Sequence, residues 1–226
     1  VEQDELIKKN CKPRMTRRDK RILTQFATFV REKFPNLRSV AELLHFIQSG
    51  NPVTYTFFWK HLPEKHGEIS SWCLSHWYAT SFTIDDTTYR STEQYMMAQK
   101  ALLFHDKKMY HKILAAKTPE EEKKLGRLVR NFQNDTWLQH RFDIVVQGNE
   151  AKFSQHAPLK HDLLSTENTV LVEASPYDTV WGIGLSAEDP DASNPHAWKG
   201  ENVLGFALMQ VRTRLHGREM WKGGKS

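Results

Sequence analysis

Apolar residues recur at helical spacing between Thr16 and Phe34, at Ile22, Leu23, Phe26, Phe29, Val30 and Phe34, and Pro35 ends the pattern. Ser39-Val40-Ala41-Glu42 has the form of a capping box and leads into Leu43, Leu44, Phe46 and Ile47, with Gly50 as a stop. The two segments predict a helical hairpin, closed off by Asn51-Pro52. Val53 to Trp59 is β-branched and aromatic, which predicts a strand. Phe82 to Ile84 and Thr87 to Tyr89, joined by Asp85-Asp86, predict a short β-hairpin.

That hairpin leads to the most informative stretch, Ser91-Thr92-Glu93-Gln94-Tyr95-Met96-Met97-Ala98-Gln99-Lys100-Ala101. Ser91 followed three residues later by Gln94 is a second capping box. With Ser91 as N-cap, Glu93 lies in the first turn, where the helix dipole favours a carboxylate. Lys100 lies seven residues on, two turns along roughly the same face, so an acid and an amine look into one space. The plainer reading is a solvated acid and a solvated lysine on an ordinary helix.

The remainder is mostly helical. Asp106 predicts a cap for a helix through Met109, Tyr110 and Ile113. Thr118-Pro119-Glu120-Glu121 predicts a strong helix start, and Asp135 and Thr136 another. Pro158 to Leu164 reads as a short helix and Thr169 to Glu173 as a strand. Ser175 to Gly184 is irregular, and 186–200 is a polar loop. Asn202 is the expected cap of a final amphipathic helix carrying Val203, Leu204, Phe206, Met209, Val211 and Leu215.

Composition narrows the class. At 226 residues, with 39% hydrophobic and 26% charged residues, the chain suits one sizeable core. No apolar run approaches the roughly 20 residues of a membrane span. The charged beginning has no apolar h-region, which predicts an intracellular protein, cytoplasmic or nuclear. Two cysteines, Cys11 and Cys73, make no disulfide framework. The lone Cys73-x-x-His76 lacks a second ligand pair, so no metal is expected. Charge is uneven: residues 1–50 hold 11 Lys/Arg against 6 Asp/Glu and 212–226 hold 5 against 1, while 51–211 hold 16 against 20. The basic ends read as phosphate-contacting arms or as solvated surface.

No nucleophile elbow, zinc helix, P-loop or dinucleotide fingerprint is present. Ser175-Pro176-Tyr177-Asp178-Thr179-Val180-Trp181-Gly182 instead sets aromatics beside an acid on a loop, as a base-stacking site would. The competing reading makes Trp181 a core residue and Asp178 a turn cap. Trp137 is either core or platform. Arg127 either holds phosphate or pairs with Glu121 or Glu122. Lys152 has a plain reading as a solvated helix lysine. The eleven histidines show no triad or metal pattern.

Several of these segments together resemble the NADAR domain, a family whose name refers to NAD and ADP-ribose. They are residues 92–101, Gly126-Arg127, Trp137, Gly-Asn-x-Ala-Lys-Phe at 148–153, the run 171–184, and Asn-x-Leu-Gly-x-x-Leu-Met at 202–209. The resemblance runs from about Tyr55 to Leu215. It implies a single compact, mainly helical α+β domain with a few short strands. The expected division is a basic N-terminal helical extension at 1–50, the catalytic domain at 51–215 and a basic tail at 216–226. It also implies N-glycosidase chemistry with no cofactor. Two substrates are associated with such domains: ADP-ribose on guanine in nucleic acid, and a phosphoribosylamino-pyrimidine of riboflavin synthesis. A third reading is a module that binds ADP-ribose without turnover. By resemblance, Glu93, Lys100 and Asp178 are the expected catalytic residues. Trp137, Trp181, Arg127, Lys152, Tyr177 and Gly182 are expected to bind substrate. Lys100 either orients Glu93 and the ribose by charge or attacks C1 to form an imine with the opened sugar.

Overall fold

The computed structural model describes residues 36–60 and 71–223. The predicted helix at Thr16–Phe34 and the basic arm before it lie outside them. The described elements run α1 (Val40–Gln48), β1 (Tyr55–Phe58), β2 (Phe82–Ile84), β3 (Thr87–Tyr89), α2 (Thr92–Leu103), α3 (Lys107–Ala115), α4 (Pro119–Gly126), α5 (Asn134–Gln155), α6 (Ala157–Ser165), β4 (Val170–Glu173) and α7 (Val203–Gly223). This is the expected mainly helical α+β arrangement.

The capping residues set most of the helix starts. Ser39, Ser91, Asp106 and Thr118 each accept a bond from the backbone N–H three residues on. At α2 the box closes one residue early, because Gln94 Oε1 accepts from the Arg90 N–H at 3.0 Å. α5 differs from expectation: it opens at Asn134 after Gln133, with no side-chain cap, and Asp135 falls inside its first turn. The Asp85-Asp86 turn joins β2 and β3 with φ of 46° and 61°, the left-handed pair that matches strand twist in a two-residue hairpin.

α2 is the centre of the core. Thr92 through Ala98, and Ala101, are all buried, so the helix is enclosed nearly all round. α3, α4 and α5 pack on it. Leu43 of α1 is completely buried in the same core. The second layer is a two-stranded parallel ladder, with Tyr55 opposite Val170 and Phe58 opposite Glu173. Parallel pairing sends both strands out at one edge. It is also invisible to sequence spacing, since 111 residues separate Phe58 and Val170.

α7 seals that ladder. Asn202 was the expected helix cap, but its side chain turns away from the helix. Its Oδ1 accepts from the Glu173 N–H at 3.0 Å and its amide donates to the Leu171 carbonyl at 2.9 Å. Asn202 thus extends β4 as a one-residue strand would, from a left-handed φ of 53°. The free N–H groups of the helix start bond instead to loop carbonyls: Val203 to Val180 at 3.2 Å and Leu204 to Trp181 at 3.2 Å. At the other end α7 continues to Gly223, with Arg214 and Arg218 both paired to Glu150.

Asn202→Ala removes both ladder bonds and leaves two strand groups without partners. Expected is a loss of about 3 kcal/mol, read as a lower urea midpoint at unchanged m-value. A midpoint equal to the parent's would mean Asn202 does not hold β4.

Candidate active site

The ends of β1 and β4 open on a cavity of about 430 Å³. Trp59 follows β1, Glu173 closes β4, and the loop after β4 brings Ser175, Tyr177, Asp178 and Trp181 to its wall. The rest of the lining includes Ser75, His76 and Trp77, with Glu93 from the first turn of α2 and Lys123 from α4. Ligand crevices in open sheets commonly form beyond the carboxyl ends of parallel strands.

Glu93 is 3% exposed. Its Oε1 has no hydrogen-bond partner, and Oε2 lies 4.0 Å from His76 Nδ1. The Trp77 side chain hydrogen-bonds the carboxylate. Burial pushes the Glu93 pKa up to about 8; Lys123 opposes this, while Glu122 and Asp178 add to it. The helix dipole favours the anion here, but the cost of stripping water from a carboxylate exceeds it. Glu173 shares the condition. Burial raises its pKa to about 8, the charges of Asp178 and Glu93 add to the rise, and Oε2 is also unpartnered. Two carboxyl groups that are mostly protonated at neutral pH therefore face one cavity.

Asp178 is better partnered. Its Oδ1 accepts from the Val180 and Trp181 N–H groups at 3.0 and 2.8 Å, and Oδ2 pairs with Lys123 Nζ at 3.4 Å. The turn-capping and site readings of Asp178 are thus compatible, one oxygen serving each. Gly182 permits the loop's approach to β4: a Cβ there would meet the Glu173 carbonyl at 2.6 Å.

A family model for the NADAR domain matches residues 57–216. The chain belongs to the NADAR family. It is 45% identical over 144 residues to N-glycosidase R617 of Acanthamoeba polyphaga mimivirus, covering 62% of this chain and 85% of that protein. It is 34% identical over 152 residues to a riboflavin biosynthesis protein of Vibrio vulnificus, covering 67% of this chain and 36% of that one. The NMR structure of the E. coli protein YbiA superposes with a TM-score of 0.60 at 26% identity, over 75% of this chain and 89% of YbiA.

Of the residues expected from sequence, the NADAR cavity gathers Glu93, Asp178, Tyr177 and Trp181, with Gly182 in the backbone beneath. Lys100, Arg127 and Trp137 do not line it. They form a neighbouring group in which Lys100 Nζ lies 4.3 Å from the Phe132 ring centre and 5.5 Å from that of Trp137. Burial lowers the Lys100 pKa; Glu93 opposes and Arg127 reinforces the shift.

Lys152 is neither solvated nor at the cavity wall. It is completely buried and donates to the carbonyls of Cys73 and Ser75 at 2.6 and 3.1 Å. Burial lowers its pKa to about 7. It therefore ties down the turn that carries His76 and Trp77. Its neighbours in the NADAR run 148–153 do similar work. Gly148 leaves room for the Tyr95 ring, which a Cβ would approach to 2.5 Å. Asn149 donates to the Val145 carbonyl at 2.9 Å and to His76 Nε2 at 3.4 Å. Because the carbonyl fixes which end of the amide is the donor, His76 Nε2 must accept, and its proton sits on Nδ1 towards Glu93. Burial, with the charges of Lys152 and Lys123, lowers the His76 pKa to about 3 and keeps the ring neutral.

Sequence reading missed His76, Trp77, Lys123, Glu173 and Trp59. Glu173 carried one usable signal, an acid at the end of an apolar strand just before a Gly- and aromatic-rich loop. His76 carries no such signal in the sequence, where its only pattern is an incomplete metal spacing.

The pKa of Glu93 gives a stability signature. Between the unfolded value near 4.5 and the folded value near 8, the folded protein holds a proton that the unfolded chain has released. Stability from this group is therefore lost as pH rises through that window. Glu93→Gln is expected to gain on the parent from pH 5 to pH 8, reaching about 2–4 kcal/mol, as read by urea unfolding at a series of pH values. A flat difference across that range would show that Glu93 is not buried.

Proposed function

We propose that this chain removes ADP-ribose from ADP-ribosylated guanine in nucleic acid. The coarser class rests on NADAR membership and on the N-glycosidase at 45% identity: the chain is a hydrolase acting on N-glycosyl bonds. Cleavage of an N-glycoside is supported by the buried, protonated Glu93 in the cavity wall, and the finer choice of ADP-ribose is carried by one observation, the cationic Lys100 with Arg127 nearby, beside the cavity, which suit a diphosphate.

Breaking a C1–N bond sends the electron pair to the base nitrogen and leaves positive charge on the ribose. The departing nitrogen needs a proton, and Glu93 holds one at neutral pH. Asp178, paired with Lys123, stabilises the sugar cation. Water then adds to C1, and its proton passes to whichever of Glu93 and Glu173 is ionised. Trp181 packs against His76, ring centres 5.5 Å apart, and shapes the wall facing the sugar. Lys100 and Arg127, beside but outside the cavity lining, supply positive charge suited to the diphosphate, with Trp137 as their backing. That arrangement supports the orienting role of Lys100 over attack on C1.

A second substrate has its own support. The Vibrio vulnificus relative is a riboflavin biosynthesis protein, and a phosphoribosylamino-pyrimidine presents the same ribosyl–nitrogen bond. A module that binds ADP-ribose without turnover would have no use for a protonated carboxyl group in the cavity.

Incubation with single-stranded DNA ADP-ribosylated on guanine is expected to release free ADP-ribose, and Glu93→Gln to slow release by about 10²–10⁴-fold. Cleavage of the aminopyrimidine with none of the DNA would transfer the activity to the second substrate. Tight ADP-ribose binding with cleavage of neither would favour the binding module. A borohydride-trapped sugar adduct on Lys100 would overturn the orienting role.

A further inference from the structure

The floor and the rim of the cavity differ in chemistry. The floor is acidic and deep: Glu93 and Glu173 offer unpartnered oxygens, and Asp178 stands beside Lys123. Such acceptors suit sugar hydroxyls, which are donors. The rim is aromatic. Trp59 and Tyr177 both line the cavity, yet they are 39% and 86% exposed. Their ring centres lie 6.0 Å apart with planes inclined by 50°.

Neither ring is needed by the core. Trp59 is the first residue beyond β1, and Tyr177 lies four residues beyond the end of β4. Parallel pairing delivers both to one edge, above the acids. Large aromatic faces left in water at a cavity mouth forgo burial that a flat ligand would restore. A ribose has no flat π face to offer them; a nucleobase does.

We infer that Trp59 and Tyr177 form the subsite for the leaving base, a planar heteroaromatic ring, so that the N-glycoside enters sugar-first and its base stays at the mouth. This rests on the N-glycosidase reading and adds direction to it. With the base at the rim, whatever is attached to the base remains outside. The cavity then has to enclose only the ribose at the reacting end, for which about 430 Å³ is ample, while the diphosphate leads away toward Lys100 and Arg127. A base that belongs to a polynucleotide fits this orientation as well as a free one.

The test uses 9-methylguanine, a base without a sugar, as the probe. It is expected to quench tryptophan emission of the full chain saturably, and to lose about tenfold in affinity with Trp59→Ala or Tyr177→Ala. In turnover the same variants are expected to raise KM for ADP-ribosylated single-stranded DNA about tenfold and to leave kcat within about twofold. Trp59→Phe and Tyr177→Phe keep a π face and are expected to restore most of the binding. Absence of saturable quenching in the parent, or an unchanged KM in both alanine variants, would overturn the subsite. An equal loss in the phenylalanine variants would also overturn it, since stacking would not be the cause. The binding arm does not depend on catalysis. A chain that binds the base through these rings but cleaves no N-glycoside would keep the subsite and remove the N-glycosidase reading.

Discussion

The site depends on keeping one carboxyl group out of water at the start of an enclosed helix. Glu93 sits in the first turn of α2, whose backbone is fixed from two sides. The Ser91 hydroxyl accepts from the Gln94 N–H at 3.0 Å and donates to the buried Glu122 at 2.9 Å. The His76 carbonyl accepts from the Glu93 N–H at 3.1 Å and from the Thr92 hydroxyl at 3.3 Å. The first device lies behind the cavity and the second joins two residues of its wall, and together they fix where the Glu93 side chain can go. A carboxyl group held this way remains protonated where a free one would ionise. That is a cost to folding and a resource for proton transfer.

A shell of buried polar groups maintains that arrangement. Lys152 and Asn149 are both fully buried and both act on the Cys73–His76 turn, one through two carbonyls and the other through the imidazole. A buried ammonium is expensive unless its hydrogens are used. Here two carbonyl bonds use two of its three hydrogens, and the positive charge also disfavours protonation of His76. The run from Gly148 to Phe153 therefore braces residues of the cavity wall without lining the cavity.

The fold was legible wherever a local rule decided the outcome. Ser39, Ser91, Asp106 and Thr118 behave as caps because capping involves only residues a few positions apart. Non-local pairing escaped that logic. Nothing near Val170 says that it lies beside Tyr55, and without that parallel ladder Glu173 and Trp59 have no reason to be neighbours. Asn202 shows the same limit. Its residue type fits a helix cap, but a strand edge 29 residues away in sequence competes for its side chain and wins both bonds. In the site, Glu93, Asp178 and Trp181 are named by the family resemblance, spacing alone leaving their plain readings open, and the structure brings the three to one cavity. His76 was not legible, because its function depends on Asn149 and Glu93, both far from it in the chain.

The charge balance of the cavity follows from these contacts. Asp178 and Lys123 form a pair of opposite sign at 3.4 Å. Glu93 and Glu173, each near a pKa of 8, carry little charge at neutral pH. The four groups together are then close to neutral. Were both glutamates ionised, the same space would hold two uncompensated negative charges, and a phosphate-bearing sugar would be repelled from it. Burial thus has two consequences at once: it keeps a proton on each glutamate near neutral pH, and it removes negative charge that would repel an anionic ligand. Ionising either glutamate makes the other harder to ionise, so loss of one proton raises the hold on the second. A pair coupled in this way can give up one proton and take it back without the cavity ever carrying the full charge of three carboxylates.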